Sequence, residues 1–236
     1  FTGFDPAAFR FLRGLKRHNT REWFESHRPE YEQFVRTPMR ALIEELDVHL
    51  AATVPELVGD PRRSIFRIHR DVRFSTDKSP YKTHASAWLF HQDAGRVVGQ
   101  QAHGGAGVYV HLEPGGSMVA GGIWMPPKAG LDKLRDRLAE AHEGFEAIVL
   151  DRAFRRRFGD LDDEAVLVRP PRGYDPHHPA MRWLKYKSFT VSRGLEDAEM
   201  TSPRLVQTLV KDVAVLTPLV RWLNDALGFP ARSTRA

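Results

Sequence analysis

The stretch Val108-Tyr109-Val110-His111-Leu112-Glu113 alternates between apolar and polar side chains and runs into Pro114-Gly115-Gly116. A period of two marks a strand with one buried face, and a Pro-Gly-Gly triplet marks a turn. The pattern recurs on both sides. Upstream, Ala85/Ala87/Leu89 alternate with His84/Ser86/Trp88/Phe90, and before them Phe66, Ile68, Val72 and Phe74 share one parity. Downstream, Met118 to Met125 continues the pattern, with Gly121-Gly122 allowing a bulge or a close backbone approach. Short strands joined by short turns predict an antiparallel or mixed, meandering sheet over about residues 63–125.

The flanks change period. Asp5-Pro6 reads as cap and first residue of a helix with Phe9, Leu12 and Leu15 on one face. Thr20 reads as the cap of a second helix, and Thr37-Pro38 as the start of a third with Leu42, Ile43, Leu46 and Leu50 as its buried stripe. Beyond Pro126-Pro127, Leu131, Leu134, Leu138 and Ala141 predict a helix that Gly144 breaks or bends. Short strands follow near 166–168 and 186–191. Ser202-Pro203 opens a final helix on Leu205, Leu209, Val213, Leu216, Val220, Leu223 and Leu227, kinked at Pro218 and ended by Gly228. Helices, then sheet, then helices, without βαβ alternation, predict one α+β domain over residues 1–230, with 231–236 a frayed tail.

With 236 residues the chain is long enough for one large core. Its hydrophobic fraction of 42% and charged fraction of 28% are those of a soluble globular protein and exclude disorder for most of the length. Cysteine is absent. That excludes disulfides, thiolate nucleophiles and Cys-ligated zinc or iron–sulfur sites. No apolar run reaches membrane-helix length, and F-T-G-F-D-P at the N-terminus shows no secretory leader, so a cytoplasmic location is expected. The net charge of +5 favours anionic partners.

The densest chemistry lies in R-I-H-R-D-V-R-F-S-T-D-K-S-P-Y-K, residues 67–82. Here Arg70, Arg73, Lys78 and Lys82 surround Asp71 and Asp77, and Arg70 sits on the apolar parity of the predicted strand. Two readings stay open. Paired charges can hold strands in register, or the cations can bind carboxylate, phosphate or sulfate, with Asp71 acting as a base or orienting Arg73. Tyr109, His111 and Glu113 share one strand face. They are either a solvated surface or an acid/base pair on a rigid element, His111 working with Glu113 or Asp71.

Other motifs point away from specific chemistries. His177-His178 are adjacent in a Pro-rich loop and poorly placed to hold one ion with His111, so no metal is expected. G-Q-Q-A-H-G-G-A-G, residues 99–107, lacks the lysine of a phosphate loop, and no G-x-S-x-G elbow marks a serine hydrolase. Arg155-Arg156-Arg157 reads as a solvated helix face, which makes nucleic acid an unlikely partner.

Four segments, N-T-R-E-W-F (19–24), R-D-V-R-F-S-T-D-K-S-P-Y-K (70–82), G-V-Y-V-H-L-E-P (107–114), and R-P-P-R-G-Y-D-P-H-H-P followed by L-K-Y-K-S-F (169–189), together resemble a bacterial family of uncharacterised proteins, domain of unknown function 2461. The resemblance implies one α+β domain in a bacterial cytoplasm and little about chemistry. The residues themselves support a small-molecule enzyme without an organic cofactor, acting on an anionic substrate by acid/base-assisted substitution or elimination. Arg70, Arg73, Lys78, Tyr81, Lys82 and Tyr109 would bind the anion, and Asp71, His111 and Glu113 would move protons. A non-catalytic protein that binds an anionic metabolite or nucleic acid is the alternative, and a purely structural charge network is the third reading.

Overall fold

The computed structural model describes residues 1–73, 76–94 and 104–235. Helix α1 (Pro6–Arg17) starts where the side chain of Asp5 accepts the Ala7 N–H at 2.7 Å, and α2 (Arg21–Ser26) where Thr20 Oγ1 accepts the Trp23 N–H at 3.2 Å. Thr37-Pro38, in contrast, does not begin a helix. A short α3 (Arg28–Glu30) passes through a π-helical turn, Tyr31–Arg36, straight into α4 (Thr37–Leu50). Proline lacks an N–H, and its ring would collide with the carbonyl four residues back. The wider turn, in which Thr37 N–H reaches Glu32 O, absorbs that misfit without ending the helix. Leu42, Ile43, Leu46 and Leu50 of α4 are buried as their spacing requires.

The sheet is a five-stranded antiparallel meander in chain order: β1 (Leu57–Val58), β2 (Ala85–His91), β3 (Gly107–Leu112), β4 (Ser117–Ile123) and β5 (Phe189–Leu195). Its core face carries Ala85, Ala87, Leu89, Val108, Val110, Leu112 and Val119, all buried. Helix α4 and the long C-terminal α9 (Leu205–Leu227) cover that face. Two glycines make the fit possible. A Cβ on Gly121 would lie 2.7 Å from the Leu216 side chain of α9. Gly122 has φ +121°, and a Cβ there would lie 1.9 Å from Phe189 O on β5.

Between β4 and β5 run α5 (Lys128–Val149), α6 (Arg152–Phe158) and the short α7 (Met181–Leu184); α8 (Asp197–Met200) precedes α9. Helix α5 does bend, but at Ala141 (φ −154°, ψ 62°), three residues before the expected Gly144. The strand expected at 166–168 is only a single bridge, Val166 to Tyr186, and β5 begins at Phe189. Helix α9 runs through Pro218 and ends at Gly228, whose φ of +92° is the left-handed cap expected there.

One further expectation needs correction. The described residues 65–73 are not a sheet strand. Residues 64–70 and 80–88 form an irregular antiparallel hairpin, bridged at Ile65–Ala87 and His69–Tyr81, with exposed residues at its tip. The pairings are offset by two residues between the bridges, so a regular ladder cannot form. The parity itself survives: Phe66, Ile68, Arg70 and Val72 point partly or fully inward, and Arg67, His69, Asp71 and Arg73 point out. Two arginines near the C-terminus make ion pairs with the body of the fold. Arg232 pairs with Asp93 at 2.7 Å, and Arg235 pairs with Asp47 and donates to Leu57 O at 3.0 Å.

Candidate functional site

The second face of the meander carries the polar parity. In the β2–β3 register, Ser86 lies opposite His111 and Trp88 opposite Tyr109, so His84, one step before β2, comes beside Glu113. Tyr109, His111 and Glu113 project from the same side of β3 and its exit, and they touch in sequence. The Tyr109 hydroxyl lies 2.9 Å from His111 Nδ1, and His111 Nε2 lies 3.1 Å from Glu113 Oε2. His111 is buried and its two neighbours half-buried. The His84 ring centres 4.3 Å from that of His111.

Cations stand around this chain of groups. Lys82 Nζ sits 5.2 Å above the Phe66 ring, whose edge meets Tyr109 at 6.1 Å between centroids. Burial, with Arg67 and Arg70 nearby, lowers the Lys82 pKa. Among the described residues, no carboxylate lies within ion-pair distance of Lys82. Lys16, from the last turn of α1, approaches Glu113 Oε1 at 3.9 Å.

Burial and the neighbouring His111 hold the His84 pKa down at about 4, so its ring is neutral at pH 7. Burial raises the Tyr109 pKa, partly offset by a hydrogen bond from Ser86, so the phenol keeps its proton at neutral pH.

The expected anion-binding and catalytic residues therefore divide. Tyr109, His111, Glu113 and Lys82 gather on one face, with Arg70 close enough to act on Lys82 and His84 electrostatically. Arg70 is half-buried, and its guanidinium is paired with Asp77. Asp71 is exposed and held by the Nε, Nη2 and backbone N–H of Arg73. That pairing takes its pKa down to about 2, which makes it a poor base. Lys78 is exposed and donates to Val72 O at 2.9 Å. Tyr81 is buried, stacked on Phe24 at 4.1 Å, and belongs to the core. These three side chains and Arg73 brace the hairpin and its tip.

The glycine-rich stretch 99–107 lies partly outside the described residues, as does Phe74. Its described end leads into β3 and is clamped by Asn224, whose side chain exchanges hydrogen bonds with Ala106 N–H and C=O at 2.7 and 3.0 Å.

The segments that assemble this face are those whose sequence stands out, and they fall within one family match: the profile of a conserved hypothetical protein family, DUF2461, covers residues 7–222. The chain belongs to the DUF2461 family. No curated protein and no solved structure matches it. In this DUF2461 protein two of the segments meet directly. Asn19, from N-T-R-E-W-F, clamps the backbone of Tyr81, from S-P-Y-K, donating to its carbonyl at 2.9 Å and accepting its N–H at 3.1 Å. His84 lies on the polar parity of β2, but no motif marks it; only the strand register brings it to His111.

Proposed function

We propose that this DUF2461 protein is an enzyme acting on an anionic small molecule, with the second face of the sheet as its site. One observation carries the reading: the hydrogen-bonded series Tyr109–His111–Glu113 beside Lys82, a half-buried ammonium without a carboxylate partner among the described residues. Partly removed from water and left unneutralised, Lys82 is suited to an oxyanion of the substrate. His111 sits between a donor and a carboxylate that fix its ring, and it is the group to accept and return a proton. Arg70 adds positive potential. The pairs Asp71–Arg73 and Arg70–Asp77 answer to the structural reading, since each satisfies charge at the hairpin tip.

Inorganic phosphate is the simplest probe. A ligand at a hundredfold excess over Kd stabilises the folded state by about 2.7 kcal/mol, or roughly 5–11 °C in Tm for a domain of this size. We expect wild type and Arg73→Ala to show a saturable rise, and Lys82→Met to lose it while keeping its fold. His111→Gln should keep the rise but lose turnover in a screen of phosphate-, sulfate- and carboxylate-bearing metabolites. A flat melt across the anion panel, or equal shifts in wild type and Lys82→Met, would overturn the reading.

A further inference from the structure

We infer that His84, His111 and Glu113 form a binding site for a divalent transition metal, with Zn²⁺ the best match to the donors. The donor atoms of the three side chains all lie within 4.8 Å of one another. Two ligands on a tetrahedral ion with bonds of about 2.0–2.1 Å stand about 3.3 Å apart. His111 Nε2 and Glu113 Oε2, at 3.1 Å, already have that spacing. The His84 donor lies within 4.8 Å of the other two, so closing the set requires it to move nearer by a turn of its side chain. Two imidazole nitrogens and one carboxylate oxygen suit Zn²⁺ and its first-row neighbours and do not suit Mg²⁺ or Ca²⁺, which prefer all-oxygen shells.

The surroundings supply what a metal-bound histidine needs. Tyr109 Oη lies 2.9 Å from His111 Nδ1. With Nδ1–H donated to that oxygen, the lone pair of Nε2 is left facing Glu113 and the ion. His111 lies on β3, and His84 and Glu113 sit immediately outside the paired ends of β2 and β3, at the Ala85–Leu112 pair, so the two strands set the spacing of the ligand backbones. Three protein ligands leave one position open for water or a substrate oxygen. Lys82, Arg70 and Lys16 oppose a bare dication, whereas an anion in the open position would lie among charges of the opposite sign. Metal binding shares His111 with the proton-transfer series, so the two roles of this side chain are alternatives, whereas anion binding at Lys82 depends on neither. With an ion bound, His111 is a ligand and not a proton carrier, and His84 has no part in the proton-transfer series.

The full, untagged chain should be stripped with a chelator, loaded with Zn²⁺ and passed over a desalting column. Elemental analysis should give one zinc per chain for wild type. His84→Ala and Glu113→Gln should lose it, and Tyr109→Phe should bind about 10–100-fold more weakly. The double variant His177→Ala/His178→Ala should retain it. If His84→Ala is poorly folded, Co²⁺ loaded into wild type decides: the strong visible absorption of a four- or five-coordinate site supports the inference, and the weak absorption of six-coordinate ion overturns it. Zinc absent from wild type, or kept equally by His84→Ala, also overturns it. The phosphate-induced rise in Tm of metal-free His84→Ala is the internal control, since the anion reading predicts that it persists whether or not zinc binds.

Discussion

Asn19 carries an unusual share of the structure for one side chain. The bridge between His69 and Tyr81 leaves the Tyr81 N–H and C=O pointing away from the hairpin, where the Asn19 amide meets both. An amide is the one short side chain that can donate and accept in a single plane, so alanine would leave two part-buried backbone groups unpaired. Asn19→Ala should cost about 1–3 kcal/mol, read from denaturant melts, and should speed amide exchange at Tyr81; unchanged exchange there would refute the clamp. None of this was legible from N-T-R-E-W-F, because a clamp is a contact between segments far apart in sequence. The candidate site was legible to the same limit. Period-two alternation placed Tyr109, His111 and Glu113 on one face. It could not reach His84, which needs the register. It also overrated Asp71 and Arg73, because parity says which way a side chain points and not whether anything covers it.

Among the elements, the meander was the most legible and the hairpin 64–88 the least. Strands β2, β3 and β4 alternate cleanly and are joined or bounded by turn residues, and the core they form follows from that pattern. The 65–74 segment alternates just as well, yet its pairing slips by two residues between its bridges, an offset no local pattern encodes. Likewise Pro38 reads as a helix start, since local rules do not foresee a π-helical turn that carries it inside. Gly121-Gly122 reads from sequence as a bulge or a close approach, and the structure shows close approaches at both residues. The sheet edge of β5 and the side of α9 leave no room for a side chain at either residue. Gly122→Ala would combine a positive φ with a collision against backbone, which can move only by breaking the β4–β5 ladder. We expect a loss of about 3 kcal/mol or more, near 6–12 °C in Tm. Gly115→Ala, at φ +70° but with open space around it, should cost less; equal losses would show that φ strain and not contact dominates.

Across the whole molecule, charge is used in two ways that composition does not distinguish. The +5 surplus is spread over the surface, and Arg155-Arg156-Arg157 looked like part of it. The structure instead sends Arg157 from α6 to Asp212, a fully buried carboxylate on α9. Arg193 of β5 reaches the same carboxylate at 2.9 Å and Glu199 of α8 at 3.1 Å. One acid thereby ties α6, α8, β5 and α9 together at the end of the sheet away from β1. The desolvation cost of such a cluster is offset only while it is complete, so removing its centre takes the carboxylate from Arg157 and leaves Arg193 with Glu199 alone. Asp212→Ala should lose about 3–5 kcal/mol, roughly 6–20 °C in Tm. Asp71→Ala, which opens an exposed pair that water and salt already screen, should leave Tm essentially unchanged. Parallel thermal melts of the two variants at low and high salt test the contrast. If Asp71→Ala falls as far as Asp212→Ala, the hairpin tip is a structural anchor, and the division between scaffold charges and site charges drawn above fails.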